Sequence, residues 1–210
     1  MSWIQTFTGR KVYPLALKPS DVCVEDIAHA LSMKCRFNGH CREFYSVAEH
    51  STRVAMILPK GKQVFGLLHD AAEAYLPDVC APIKSAVYVA NTKVKDQFNA
   101  IAPAGIGCAV LDERQGELQS FSYAEQKAIE AIAEAFFLDP HGFEAAAVRQ
   151  ADMMLLATEA RDLMAEPPEP WGIDSPVMQE RITPLGPSEA EAAFLTMFNE
   201  LTAAPAKGAA

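Results

Sequence analysis

A chain of 210 residues, half of them hydrophobic and about a fifth charged, is long enough to bury a sizeable core and suits one globular domain. Its formal net charge of −9 argues against a broad nucleic-acid surface, which needs clustered Lys and Arg, but leaves room for a local basic pocket that takes a small anion. The N-terminus lacks a signal-peptide core and no apolar run approaches the ~20 residues of a membrane span, so a cytoplasmic protein without a membrane partner is expected.

Residues 1–19 are turn-rich with a short β-prone piece. Ser20 or Asp21 can cap a helix running to about Lys34, and Asn38-Gly39 in "CRFNGHCREFY" is a turn signal. Ser46 followed by Glu49 reads as a capping box, in which each side chain satisfies a free N–H at the helix start; that helix ends near Pro59. The next spans about Gly61 to Leu76 and stops at Pro77, and another is expected from Pro82 to about Ala100. The stretch 103–118 is too rich in Gly and Pro to assign. Ser122 and Glu125 form a second box, opening a helix to about Leu138 that "DPHG" terminates. A long helix over Phe143–Met164 follows. Residues 165–187 carry six prolines and read as an ordered loop or wrapping arm. Ser188 caps a final helix to about Leu201, and residues 203–210 read as a frayed tail. No strand alternation is long enough for a core sheet. The expected class is all-α: one helical bundle over 1–202, with its core at about 20–165 and a short irregular N-terminal segment.

The stretch "GLLHDAAEAYLPD" places His69, Asp70 and Glu73 inside an apolar, alanine-rich run. Buried charges are costly unless paired or bound to a metal, so these residues ask for partners. His50, in "SVAEHSTRVAMIL", and Asp152, in "VRQADMMLLATEA", sit in equally apolar surroundings. Two imidazoles and two carboxylates make a mixed N/O donor set that suits Mn, Fe, Co, Ni or Zn better than Mg. The five cysteines, Cys23, Cys35, Cys41, Cys80 and Cys108, are odd in number and form no C-x-x-C pair, so neither a zinc knuckle nor a disulfide framework is indicated. Cys35, His40 and Cys41 fit no common zinc spacing and read as structural or substrate-proximal. Tyr45 reads as a core aromatic; Tyr75 could be core or base-stacking. His29 and His141 read as surface or core histidines.

The order His50, His69-Asp70, Asp152 resembles the H…HD…D signature of the HD-domain metal-dependent phosphohydrolases. "CRFNGHCREFYSVAEHS" and "LLHDAAEAYLPDVCAPIK" resemble the branch that contains bacterial 5′-deoxynucleotidases and phage dATP triphosphohydrolases, over roughly residues 5–165. The resemblance implies an HD-domain helical fold with His50, His69, Asp70 and Asp152 as metal ligands, and with Mg possible at a second site. It implies a catalytic Glu73, a phosphate-binding Arg36, and Phe37 and Asp78 near the sugar, with Phe37 where related enzymes carry tryptophan. Lys84 and His40 are further candidate phosphate contacts. The expected activity is hydrolysis at the α-phosphorus of a deoxynucleotide, with dATP and release of triphosphate as first choice and monophosphates as the alternative. A catalytically retired HD fold used for binding or regulation is the rival of another class. By analogy with related enzymes the chain is expected to form a homo-oligomer.

Overall fold

A computed structural model describes residues 3–84, 87–89, 110–111 and 118–203, most of them helical. The chain opens with a two-stranded antiparallel hairpin, β1 (Ile4–Gln5) against β2 (Lys11–Val12), turned at Gly9 with its φ of +84°. Helix α1 is Val24–Ser32, shorter than the sequence suggests. Asp21 caps a separate 3-10 turn, Pro19–Asp21, where it accepts the Lys18 N–H at 3.1 Å. Helix α2, Val47–Ile57, starts at Ser46, whose hydroxyl accepts the Glu49 N–H at 3.1 Å. Only this half of the expected box forms, because the Glu49 carboxylate turns away to Arg53 and the Leu185 N–H.

Helix α2 is buried along nearly all of its first nine residues and packs on α1, on α3 (Gln63–Leu68), on α6 (Ala146–Leu163) and on the C-terminal α7 (Pro187–Thr202). The largest core unites Ile27 and Leu31 of α1, Leu67 and Leu68 of α3, Ile132, and Phe194 of α7. A second cluster joins Val54 and Leu58 to Val148 and Leu155. Gly66 permits the closest approach: a Cβ there would collide with the Leu58 side chain and stand 3.2 Å from the Ala55 backbone.

Several expectations are corrected. The helix over 61–76 is broken: α3 ends at Leu68, and a 3-10 turn, Ala71–Ala74, follows, so His69 and Asp70 sit at the junction. Of the helix expected over 82–100, the described residues hold only α4 (Ala81–Lys84) and then a strand, β3 (Tyr88–Val89). This β-branched and aromatic run pairs with a neighbouring strand instead of coiling. The rest of that span, Cys108 and residues 204–210 lie outside the described residues. Strands β4 (Val110–Leu111) and β5 (Leu118–Ser120) complete a small antiparallel sheet of order β3-β5-β4. Helix α5, Phe121–Ala135, is capped by Ser120, which accepts the Tyr123 N–H at 3.3 Å, and not by Ser122. Glu125 is drawn instead to Lys84. Helix α6 begins at Ala146 and not at Phe143, since a 3-10 turn, Pro140–Gly142, occupies its entry. Helix α7 starts one residue before Ser188, with Pro187 at the position where a missing N–H costs nothing.

Candidate metal centre

Three elements deliver the ionisable groups singled out in the sequence. Helix α2 presents His50, the end of α3 presents His69 and Asp70, and α6 presents Asp152. Because Gly66 lets α3 close on α2, the two imidazoles meet with their Nε2 atoms 3.3 Å apart. His50 Nε2 lies 3.2 Å from Asp152 Oδ1 and 3.7 Å from Asp70 Oδ2. His69 Nε2 lies 3.2 Å from Asp70 Oδ2 and 4.0 Å from Asp152 Oδ1. Donors held at about 2.0–2.1 Å from one ion stand roughly 3.0–3.4 Å apart when adjacent and about 4.2 Å when opposed. The His50–His69–Asp152 cluster therefore matches the spacing of a metal site and could bind an ion.

The other ring nitrogens settle which face of each imidazole is free. His50 Nδ1 is 2.7 Å from Glu159 Oε1, and His69 Nδ1 is 2.8 Å from the Gly66 carbonyl. Both partners can only accept, so each Nδ1 carries the proton and each Nε2 turns its lone pair toward the other. Two lone pairs facing at 3.3 Å repel unless a cation, a proton or a metal, lies between them. In the metal-free protein a proton on His69 can fill that place. Burial disfavours a charged His69 ring, yet Asp70 and Asp152 outweigh it and raise its pKa to about 9. Burial likewise opposes the charge on Asp70, but His69, His50 and Arg36 hold its carboxyl far below the usual range. Asp152 moves the same way: burial raises it and the two histidines lower it further.

Glu159, which the sequence reading passed over, is fully buried and joins the site to its surroundings. One oxygen takes His50; the other takes Arg36 through Nε at 3.1 Å and Nη2 at 3.0 Å. Arg36 Nη1 is 3.7 Å from Asp70 Oδ2, so this arginine braces two acids of the centre. Glu159 lies seven residues after Asp152, two turns along the same face of α6 with Leu155 between them. A glutamate in that apolar stripe was the available signal.

The remaining candidates divide. Glu73 stands on the 3-10 turn after Asp70, and its Oε2 is buried without a hydrogen-bond partner among the described residues. Burial pushes its pKa up to about 8, with help from Asp70 and Asp78. Asp78 is exposed on the loop leading to α4. Lys84 is paired to Glu125 at 2.7 Å. Lys34 donates to the backbone carbonyls of Glu73 and of Leu76, the latter at 3.1 Å. Phe37 lies under the Arg36 guanidinium, 5.4 Å from ring to Cζ, and His40 is exposed on the same turn. The tyrosines are structural: Tyr45 is fully buried, and Tyr75 accepts the Cys23 N–H at 3.2 Å. His29 pairs with Glu191 at 3.1 Å under a stacked Phe7. His141 is an exposed residue of a 3-10 turn.

Fold and site together define a predominantly helical protein with a His/Asp cluster able to hold a metal ion. Among the described residues no helix is long and apolar enough to cross a membrane. No protein-family model matches the chain. The chain is 32% identical over 206 residues to the uncharacterized protein YfdR of Escherichia coli strain K12, covering 96% of this chain and 97% of that one, and it belongs to the YfdR family. It is also 34% identical over 108 residues to an uncharacterized protein of Rhodobacter capsulatus, a match covering 47% of this chain and 55% of the other.

Proposed function

We propose that this chain is a metal-dependent phosphohydrolase of the HD-domain type that cleaves deoxynucleotides at the α-phosphorus. The observation that carries the reading is the pair of imidazoles with both Nδ1 atoms committed to acceptors and both Nε2 atoms facing the Asp70 and Asp152 carboxylates. In this reading His50, His69, Asp70 and Asp152 hold the ion. The mixed N/O set favours a transition metal over Mg. A bound divalent ion would polarise a phosphoryl oxygen and make a water nucleophilic near neutral pH.

The chain's own residues do the rest. Glu73, with its pKa pushed up to about 8, takes a proton from the attacking water or returns one to O5′ as the P–O5′ bond breaks. Arg36 keeps Asp70 and Glu159 in place through its guanidinium. Phe37 and Asp78 are assigned to the sugar side.

The phosphate chain is where the geometry favours a second reading. The family resemblance suggests dATP, whose two additional phosphates need additional cations. Yet Arg36 is engaged by Glu159, Lys84 by Glu125, and Lys34 by backbone carbonyls. With those three cations engaged, a deoxynucleoside monophosphate is favoured, and the exposed His40 and Arg42 beside the Phe37 turn are the groups that would serve the triphosphate alternative at the same centre. The deciding experiment supplies Mn, Co, Ni, Zn or Mg in turn to the purified protein and tests deoxy- and ribonucleoside mono- and triphosphates, reading products by chromatography. Deoxynucleoside plus inorganic phosphate from monophosphates is expected. Deoxyadenosine plus intact triphosphate from dATP alone would reverse the length assignment. Metal-loaded protein that hydrolyses none of them would leave a binding or regulatory role in place of the enzyme.

A further inference from the structure

The arm over 165–187 is registered against the helices of the metal centre by buried polar groups. Asp162, whose side chain is 2% exposed, accepts the Ile182 N–H at 3.0 Å, and Thr158 accepts the Met178 N–H at 2.9 Å. Glu49, which is 1% exposed, accepts the Leu185 N–H at 2.8 Å. Arg161 and Arg53 donate in turn to the carbonyls of Met178 and Thr183. The donors and acceptors come from α2 and α6, the helices that carry His50 and Asp152.

So anchored, the arm brings Trp171 to Phe37, with ring centroids 5.8 Å apart and planes at 73°. Phe37 and Asn38 have φ values of 54° and 51°, a left-handed conformation that a bulky aromatic residue rarely adopts. That turn holds the Phe37 ring under Arg36, which in turn lies beside Asp70. The series Asp70, Arg36, Phe37, Trp171 thus leads outward from the metal cluster to an aromatic corner. An edge-to-face pair leaves a broad ring face uncovered, and Trp171 is 45% exposed. Further along the arm, Asp174 and Pro176 stand off from Arg149, Met153 and Met154 of α6 across an open groove.

We propose that Trp171, carried by the arm and held edge-on by Phe37, offers its open ring face to the planar base of the nucleotide, while Phe37 itself stays on the sugar side. The proposal rests on the phosphohydrolase reading and assigns the part of the substrate that the metal cluster does not touch.

The chain has two tryptophans, Trp3 and Trp171, so Trp3→Phe leaves Trp171 as the reporter. In that background, with Glu73→Gln added to block turnover and metal supplied, deoxyadenosine monophosphate should quench the fluorescence, whereas 2-deoxyribose 5-phosphate, which lacks a base, should not. In the otherwise wild-type enzyme Trp171→Ala should raise KM for the nucleotide by about ten- to a hundredfold at unchanged kcat, as expected for loss of one base-stacking ring. Trp171→Phe should recover most of the loss, and hydrolysis of the sugar phosphate should not respond to either change. Absence of base-dependent quenching overturns the proposal, as does equal weakening of nucleotide and sugar phosphate, which would mark a displaced arm. Quenching by the nucleotide in a protein whose wild type turns over no nucleotide would sink the hydrolase reading and leave the aromatic corner standing. Normal turnover with an unchanged KM in Trp171→Ala would do the reverse.

Discussion

Glu159 is the residue on which the geometry of the centre turns, and replacing it gives the sharpest test. Its two oxygens receive three donors, His50 Nδ1 at 2.7 Å and Arg36 Nε and Nη2 at 3.1 and 3.0 Å, with no exposure to water. Glu159→Ala leaves Arg36 charged and largely buried with half of its partners gone. Breaking a buried ion pair in this way costs about 3–5 kcal/mol. For a chain of this length each kcal/mol shifts the melting temperature by roughly 2–4 °C, so a fall of about 6–20 °C is expected in chelator. Glu159→Gln is the gentler probe: its carbonyl can accept from one neighbour, but its NH₂ must then face another donor. The His50 ring loses its fixed tautomer or Arg36 loses its brace. Loss of such a partner behind a metal-binding histidine weakens metal binding by about 10- to 100-fold, or about 1.4–2.7 kcal/mol. Competition against a chromophoric chelator measures this directly, and thermal melts with and without metal separate affinity from stability. If Glu159→Gln bound metal as tightly as the wild type and melted at the same temperature in chelator, the assignment of Glu159 as the brace of His50 would be wrong.

Four more predictions rest on the same geometry. Metal uptake should be pH-dependent, because in the metal-free protein His69 is protonated up to about pH 9 and that proton must leave; apparent affinity should fall about tenfold per pH unit below about 9, read by the same chelator competition, and a flat profile would contradict the assignment. By the same linkage, the stabilisation from protonated His69 in metal-free protein is full below about pH 6.5 and disappears as pH rises through about 9, so melts in chelator should show that loss over this window. Gly66→Ala forces a methyl group into Leu58 and the Ala55 backbone, and should cost about 1–3 kcal/mol on denaturant melts while weakening metal binding by pushing His69 from His50; an unchanged midpoint would show that the α2–α3 contact has slack. Glu73→Gln should bind metal normally and slow turnover by about 100- to 10,000-fold, and a near-wild-type rate would reduce Glu73 to a structural residue.

Much of this protein is local and so legible in the chain itself. The apolar periodicity around His50 and Asp152 marks two buried helices, and acids and imidazoles placed among such residues need partners wherever the helices lie. The Asn38-Gly39 turn and the proline-rich arm are likewise written in residue type, because Gly, Asn and Pro restrict the backbone without reference to neighbours. What required the tertiary structure is where these pieces meet. Whether Glu49 closes its own capping box or reaches Leu185, 136 residues away, depends on the arm that packs beside it. Arg36 looked free for phosphate until Glu159, 123 residues distant, arrived to occupy it. The helix over 61–76 breaks after Leu68, which sets His69 and Asp70 against groups from α2 and α6. Trp171 offered no signal of its own; only the pinning of the arm by Asp162 and Thr158 brings it to Phe37. Residue type and spacing encode which groups cannot be left alone, whereas the choice among distant partners is made by packing, since a buried charge takes whichever counter-charge the surrounding helices carry within reach.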